Sequence, residues 1–334
     1  MTKKISIVGA GEFAKMHLEA YSRNPEAKVA WICDTNLAAA QSYADQYGIP
    51  NVTANYEDSL ADDNVDAVDI TAPNYLHKPF AIRSMEAGKS VICEKPMALS
   101  AAESEEMAQA ASRTGRKLFV KYHQRFDPVH IKLKQMLENG EFPNPVMAMF
   151  ALFGNHLPSM TNRSHWRGNP KLTGGGCLFS SGSHVLDLIH FFFGELKAIT
   201  AVTRQLAANN PDKGDDNATV VMEFQSGMVA NFVGCWTTNQ WTWNKEVHGP
   251  EGSLHVIQDE NKANVLQLRK NGSVETLLVQ PDWFAASNYA AINHFIDYLN
   301  DRTEPAYALV DCIRSMRTLE LAYQSSEQER RIVV

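Results

Sequence analysis

No stretch of this 334-residue sequence concentrates lysine and arginine; 31 basic residues are outnumbered by 38 acidic ones, for a formal net charge of −7. Without a basic patch there is no electrostatic footprint for a nucleic-acid backbone or an anionic membrane surface, so neither is expected as a partner. No apolar run approaches the ~20 residues that a membrane helix needs. The longest, Leu186 to Phe193, is broken by Asp187 and His190. The opening residues run through Ile5-Ser6-Ile7-Val8 straight into glycines, too short an apolar run for a signal-peptide core. Cysteine is scarce, with five residues at 33, 93, 177, 235 and 312 and no Cys-x-x-Cys pair. They read as buried thiols of a protein kept in a reducing cytoplasm. Neither a His-x-x-x-His pattern nor a Gly-x-Ser-x-Gly elbow is present, so no metal site and no serine nucleophile is expected. Internal repeats and low-complexity linkers are also missing.

What is present divides near residue 122. Up to there, β-branched runs (Ile5–Val8, Lys28–Cys33, Ala67–Thr71, Ser90–Cys93, Leu118–Val120) alternate with helical patterns (Leu37–Tyr47, Lys78–Ala87, Ala101–Thr114). This rhythm predicts an α/β Rossmann domain, a doubly wound parallel sheet. Ser100 followed by Glu103 forms a capping box for the last of these helices. Beyond residue 123, strand runs follow one another with few helices between: Pro145–Phe153, Ala198–Leu206, Ala218–Phe224, Met228–Trp236, Ser253–Ile257, Val265–Arg269 and Ser273–Val279. They predict an α+β domain with a mostly antiparallel open sheet. Helices over Asn288–Asn300 and Tyr307–Gln328 close the chain, the last of them expected to pack back on the first domain. The expected division is 1–122 and 123–334, with the site in the cleft between domains.

Gly9-Ala10-Gly11-Glu12-Phe13-Ala14 lies between a strand and a helix, the context a dinucleotide fingerprint requires. Gly9 permits the tight turn, Gly11 lets a pyrophosphate approach the backbone, and Ala14 lets helix and strand pack closely. Amides at the helix start, around Glu12 and Phe13, face the phosphates. A second strand ends at Asp34, about 20 residues past Ala14, where an acidic residue meets the adenosine ribose. A carboxylate there favours NAD over NADP, whose 2′-phosphate it would repel.

Three further stretches make the sequence resemble the Gfo/Idh/MocA family, which includes glucose-fructose oxidoreductase and inositol dehydrogenases. They are Thr71-Ala72-Pro73-Asn74 with His77; Cys93-Glu94-Lys95-Pro96; and Gly174-Gly175-Gly176 leading into Ser180-x-Gly182-x-His184-x-x-Asp187. Tyr122-His123-Gln124-Arg125-Phe126 and the pair Trp166-Arg167 extend the likeness over nearly the whole chain. The resemblance implies NAD contacts from Thr71, Ala72, Asn74, His77, Glu94 and Lys95, and a homodimer or homotetramer formed through the C-terminal sheet. It also implies a catalytic Lys95 and a carbohydrate or cyclitol as the small-molecule substrate.

An ammonium at Lys95 can hydrogen-bond the oxygen that becomes a carbonyl. On a helix, Ser180, His184 and Asp187 fall on one face at i, i+4 and i+7. His184, an imidazole that titrates near neutrality, is the expected general acid/base. The family usually has Asp where this chain has Ser180, so Asp187 becomes the candidate carboxylate beside His184. His123, Trp166, Arg167 and Ser180 are candidate substrate contacts, with His156 and His165 in the same loop as Trp166. The expected activity is hydride transfer between NAD and a secondary hydroxyl or ketone. Two alternatives stay open: a glycosidase acting through transient oxidation and elimination, and a catalytically silent regulatory protein that senses dinucleotide.

Overall fold

The computed structural model describes residues 2–156, 158, 166–207 and 214–334. The chain divides into two compact units. One comprises the chain up to His123 together with Asn288–Arg314, and the other comprises Gln124–Ser287 with Ser315–Val334.

The first unit is built on six strands, β1 (Lys3–Val8), β2 (Ala27–Cys33), β3 (Asn51–Thr53), β4 (Ala67–Ile70), β5 (Ser90–Glu94) and β6 (Leu118–Lys121). Every pairing is parallel and the order is β3-β2-β1-β4-β5-β6. The chain therefore reverses direction across the sheet between β1 and β4, a switch point that leaves a crevice at the carboxyl ends of the strands. Ile7, Ile32, Val68, Val91 and Val120 are wholly buried, as expected of strands covered on both faces. The edge strand β3 is the one the sequence pattern missed, since three residues with a single apolar side chain carry no periodicity.

Helices α1 (Glu12–Arg23), α2 (Leu37–Tyr47), α3 (Tyr56–Leu60), α4 (His77–Glu86) and α5 (Ala101–Thr114) connect these strands. Local chemistry sets their ends. The Asn36 side chain caps α2 by accepting from the Ala39 amide, and Gly48 ends it in the left-handed region at φ +67°. At α5 the Ser100 hydroxyl accepts from the Glu103 amide, while the Glu103 carboxylate accepts from the amide of Leu99. The box thus closes one residue further out than its usual form.

In the second unit, α6 (Pro128–Glu138) leads into a sheet formed by β7 (Met147–Asn155), β8 (Leu196–Arg204), β9 (Asn217–Phe224), β10 (Val229–Cys235), β11 (Thr237–Gly249), β12 (Gly252–Gln258), β13 (Asn264–Lys270), β14 (Ser273–Gln280) and β15 (Ile332–Val333). Their order is β14-β13-β12-β11-β7-β10-β9-β8-β15, antiparallel except for the parallel pair β7 and β10. The long strand β11 was not anticipated; its run of Thr, Asn, Gln and Trp lacks clean alternation. One face holds the core, with Ala148, Phe150, Val220, Met222 and Phe232 buried, while Met147, Met149 and Val202 stand exposed on the other. Helix α7 (Ser183–Phe193) is mostly apolar, and eight of its eleven residues are buried. Helices α8 (Trp283–Leu299) and α9 (Leu309–Gln328) follow, α8 beginning earlier than its pattern predicts. No helix among the described residues is long and apolar enough to cross a membrane.

Candidate functional site

The glycine turn joins β1 to α1, and residues at the ends of β2 and β4 hold it in place. Gly9 N–H donates to the Cys33 carbonyl at 2.8 Å, Ala10 N–H to Asp34 Oδ2 at 2.7 Å, and the Thr71 hydroxyl to the Gly9 carbonyl at 2.8 Å. Gly9 adopts φ +106°, and a Cβ there would lie 2.8 Å from the Ala72 nitrogen and the Thr71 carbonyl carbon. Only glycine meets both conditions. A Cβ on Gly11 would meet nothing within 4 Å, so the space above the first turn of α1 is open. That helix starts at Glu12 without a side-chain cap. An open cradle over an uncapped helix start fits a dinucleotide pyrophosphate. Asp34 is half-buried, and its Oδ1 accepts from the Asn36 amide at 2.7 Å. The carboxylate expected at the ribose is thus also the brace of the glycine turn.

Thr71, Ala72 and Asn74 lie just past β4, with Ala72 and Asn74 buried. Two side chains assigned to the dinucleotide are engaged elsewhere. The ring nitrogens of His77 lie 2.8 Å from the Pro96 carbonyl and 3.0 Å from the Ala72 carbonyl, so this buried ring staples the loops after β4 and β5 together. Glu94 ends β5, but its carboxylate turns inward. Oε1 is 2.8 Å from His17 Nε2 and 2.8 Å from Lys121 Nζ. Burial alone would raise this carboxyl, yet the Lys121 and His17 charges and their hydrogen bonds hold it well below the usual carboxylate range. Contact with the dinucleotide is therefore reassigned away from the side chains of His77 and Glu94. Lys95 follows directly, half-buried, with its peptide bond to Pro96 in the cis form.

In the second unit the predicted common face of Ser180, His184 and Asp187 is not a single α-helical one. Ser180 sits in a π-helical turn, Leu178–Gly182, and His184 and Asp187 sit in α7. Wide turns of this kind re-aim side chains and recur at functional sites. Both Ser180 and His184 are half-buried. Asp187, expected to serve His184, is instead 1 % exposed and held by the Arg125 guanidinium at 2.8 Å and 2.7 Å and by the Ser315 hydroxyl at 2.9 Å. A fork-to-fork pair of this kind fixes the carboxylate in place, so its role is corrected from catalytic partner to anchor of α7.

Sequence reading missed Asp215. Its carboxylate accepts from the Tyr323 hydroxyl at 2.6 Å, the Gly176 amide at 3.2 Å and the Leu178 amide at 2.8 Å, fixing the glycine loop that leads into the π turn. A Cβ at Gly176 would lie 1.8 Å from the Asp215 carbonyl oxygen, which explains a glycine there. Trp166 and Arg167 form a one-turn 3-10 helix with the guanidinium 4.6 Å from the indole centroid. His123, also a candidate, is buried at the end of the first unit. His156 packs between Trp236 and Trp241, and His165 lies outside the described residues. Among the described residues no three His, Cys, Asp or Glu side chains are grouped to hold a metal ion.

A glycine-turn parallel sheet of this order, in a chain that also carries a large open sheet, is the architecture of a two-domain dinucleotide-binding protein. Residues 3–122 match the NAD-binding Rossmann fold of the oxidoreductase family, and residues 134–334 match its C-terminal alpha/beta domain. The chain belongs to this family, Gfo/Idh/MocA. It is 32% identical over 238 residues to the uncharacterized oxidoreductase YrbE of Bacillus subtilis, covering 69% of this chain and 67% of that protein. It is 28% identical to the 1,5-anhydro-D-fructose reductase of Ensifer adhaerens over 87% of each chain. The aldose-aldose oxidoreductase of Caulobacter crescentus, solved in complex with glycerol, superimposes with a TM-score of 0.89 at 25% identity over 100% of both chains.

Proposed function

We propose that the chain is an NAD-dependent dehydrogenase acting on a secondary hydroxyl, or the matching ketone, of a sugar, sugar derivative or cyclitol. The observation that carries this reading is Lys95, a half-buried ammonium one residue past a fully buried parallel strand, on the same sheet edge as the glycine cradle. An ammonium there can hold the substrate oxygen and stabilise the negative charge that develops on it. Similarity to a reductase of 1,5-anhydro-D-fructose supports a carbohydrate substrate.

NAD, when bound, supplies the hydride acceptor. The chain's own residues do the rest in this reading. Lys95 orients the reacting oxygen, His184 takes up or returns the hydroxyl proton, and Ser180 orients the imidazole. Arg125 and Asp187 fix the helix that carries His184. Trp166, Arg167 and His123 are assigned to substrate contact, and Asp34 favours NAD over NADP. Self-association is assigned to the exposed sheet face around Met147 and Met149.

The test is NADH absorbance across a panel of sugars and cyclitols, with NAD binding followed separately by fluorescence. Lys95→Ala and His184→Ala are each expected to lower kcat by roughly 10²–10⁴-fold while still binding NAD. The reading is overturned if the folded protein binds NAD and no panel member yields NADH.

A further inference from the structure

The interior of the first unit holds an ionic cluster that its packing does not require. His17, in the second turn of α1, is completely buried and lies between carboxylates from neighbouring strands. Nδ1 is 2.7 Å from Asp69 Oδ2 on β4, and Nε2 is 2.8 Å from Glu94 Oε1 on β5. Lys121 on β6 reaches the same Glu94 oxygen at 2.8 Å and donates to Asn288 Oδ1 on α8 at 2.5 Å. Tyr21, one turn after His17, donates to Asp69 at 2.8 Å.

Burial by itself would lower the titration of His17. The Asp69 charge and the hydrogen bonds to Asp69 and Glu94 outweigh burial and the opposing Lys121 charge, so the imidazole titrates above its ordinary range. With His17 protonated, two carboxylates face two cations. Taking four ionic groups out of water costs several kcal/mol each before pairing, where Leu or Val would pack at no such cost. Such a cluster supplies direction rather than bulk stability. Its two ends show which direction. His17 lies about 9 Å along α1 from the Gly11 turn. The second oxygen of Glu94 accepts from the Lys95 amide at 3.2 Å.

We propose that His17 is a positioning residue: by bridging Asp69 and Glu94 it holds the dinucleotide helix in register with the strand end that presents Lys95. The proposal rests on the reading of Lys95 as the residue at the reacting oxygen. Misplacement of reacting groups by about 1 Å costs on the order of 10²-fold in rate, so a rigid link between α1 and Lys95 bears directly on turnover.

The variant His17→Gln keeps one polar end but cannot bridge both carboxylates. At temperatures well below its unfolding midpoint it is expected to bind NADH roughly tenfold more weakly by fluorescence titration, a readout that needs no substrate. Its kcat is expected to fall by about 10–100-fold with little change in substrate KM. A wild-type NADH Kd together with wild-type kcat in folded His17→Gln would overturn the proposal. Should the variant not fold, the wild type decides: in ¹⁵N-histidine-labelled protein the His17 ring resonances, assigned through their couplings, are expected to shift when NADH saturates the site. Unmoved resonances overturn the link. Absence of NADH binding by the wild type would fell the cofactor reading and this proposal with it, whereas binding without turnover would fault only the substrate assignment.

Discussion

Arg125 Nε and Nη2 lie 2.8 Å and 2.7 Å from the two carboxylate oxygens of Asp187, and both side chains are almost completely withdrawn from water. A residue held this way anchors a helix. Arg125→Met, which leaves the carboxylate buried without its cation, is expected to lower the unfolding free energy by about 3–5 kcal/mol in urea titrations. Adding Asp187→Leu should recover part of that loss. If Asp187 acted in the chemistry instead, Asp187→Asn would lower kcat by orders of magnitude at unchanged stability.

The two glycines of the turn are expected to separate folding from binding. Gly9→Ala forces a Cβ against the Thr71 and Ala72 backbone at a φ of +106°, so it should lower the melting temperature by several degrees. Gly11→Ala meets nothing within 4 Å. Its apoprotein should melt close to wild type while its NADH Kd, measured by fluorescence, rises at least tenfold.

Asp34 is the residue proposed to meet the adenosine ribose, where NAD and NADP differ. Removing its like charge in Asp34→Ala should shift the ratio of NADPH to NADH affinity toward NADPH by tenfold or more. Because Asp34 also accepts from Ala10 N–H and Asn36 N–H, the variant should bind NADH more weakly and lose roughly 1–3 kcal/mol of stability. An unchanged ratio in competition titrations would remove Asp34 from the ribose.

A buried lysine in the second unit gives a pH signature. Lys245 Nζ donates to His130 Nε2 at 2.9 Å, and burial lowers its titration to about 8, with Asp127 only partly opposing the shift. The folded state releases this proton near pH 8, whereas the unfolded chain holds it to about pH 10.5. Between those values the unfolded state binds more protons, so this residue's contribution to stability rises with pH, by about 3 kcal/mol in all, and is absent below pH 8. Urea titrations at pH 7.5 and pH 10 should show the rise in the wild type, diminished in Lys245→Met.

The exposed face of the large sheet offers Met147 and Met149, 48% and 41% accessible, beside Glu246 and His248 on β11. Met149→Glu is expected to lower the mass measured by sedimentation equilibrium. An identical sedimenting mass for variant and wild type would exclude this face as the self-association surface.

Much of the fold was legible because its signals are local. β-branched runs separated by helical patterns predict a parallel sheet, and strand runs in succession predict an antiparallel one. The chain failed to announce β3 and β11, where a short edge strand and a polar, Trp-bearing run lack the alternation that burial on one face imposes. The candidate site was legible unevenly. Gly9, Gly11, Asp34 and Lys95 are candidates because the turns they occupy are written in adjacent residues. His77, Glu94 and Asp187 stand in equally recognisable motifs, yet their side chains serve partners that sequence spacing does not reveal. One signal for the buried cluster was available, an Asp inside the apolar run Ala67–Ile70.

By itself the sequence determined the tight glycine turn between β1 and α1, the class of each domain and the order of the motifs, because glycine placement, capping and hydrophobic period act over a few residues. Tertiary structure alone decided which ionisable groups face each other. His17 meets Glu94 across 77 positions, and Arg125 meets Asp187 across 62. Charges so far apart in the chain are paired only when strands and helices bring them together in an interior from which water is excluded, and there an unpaired charge would cost too much to persist.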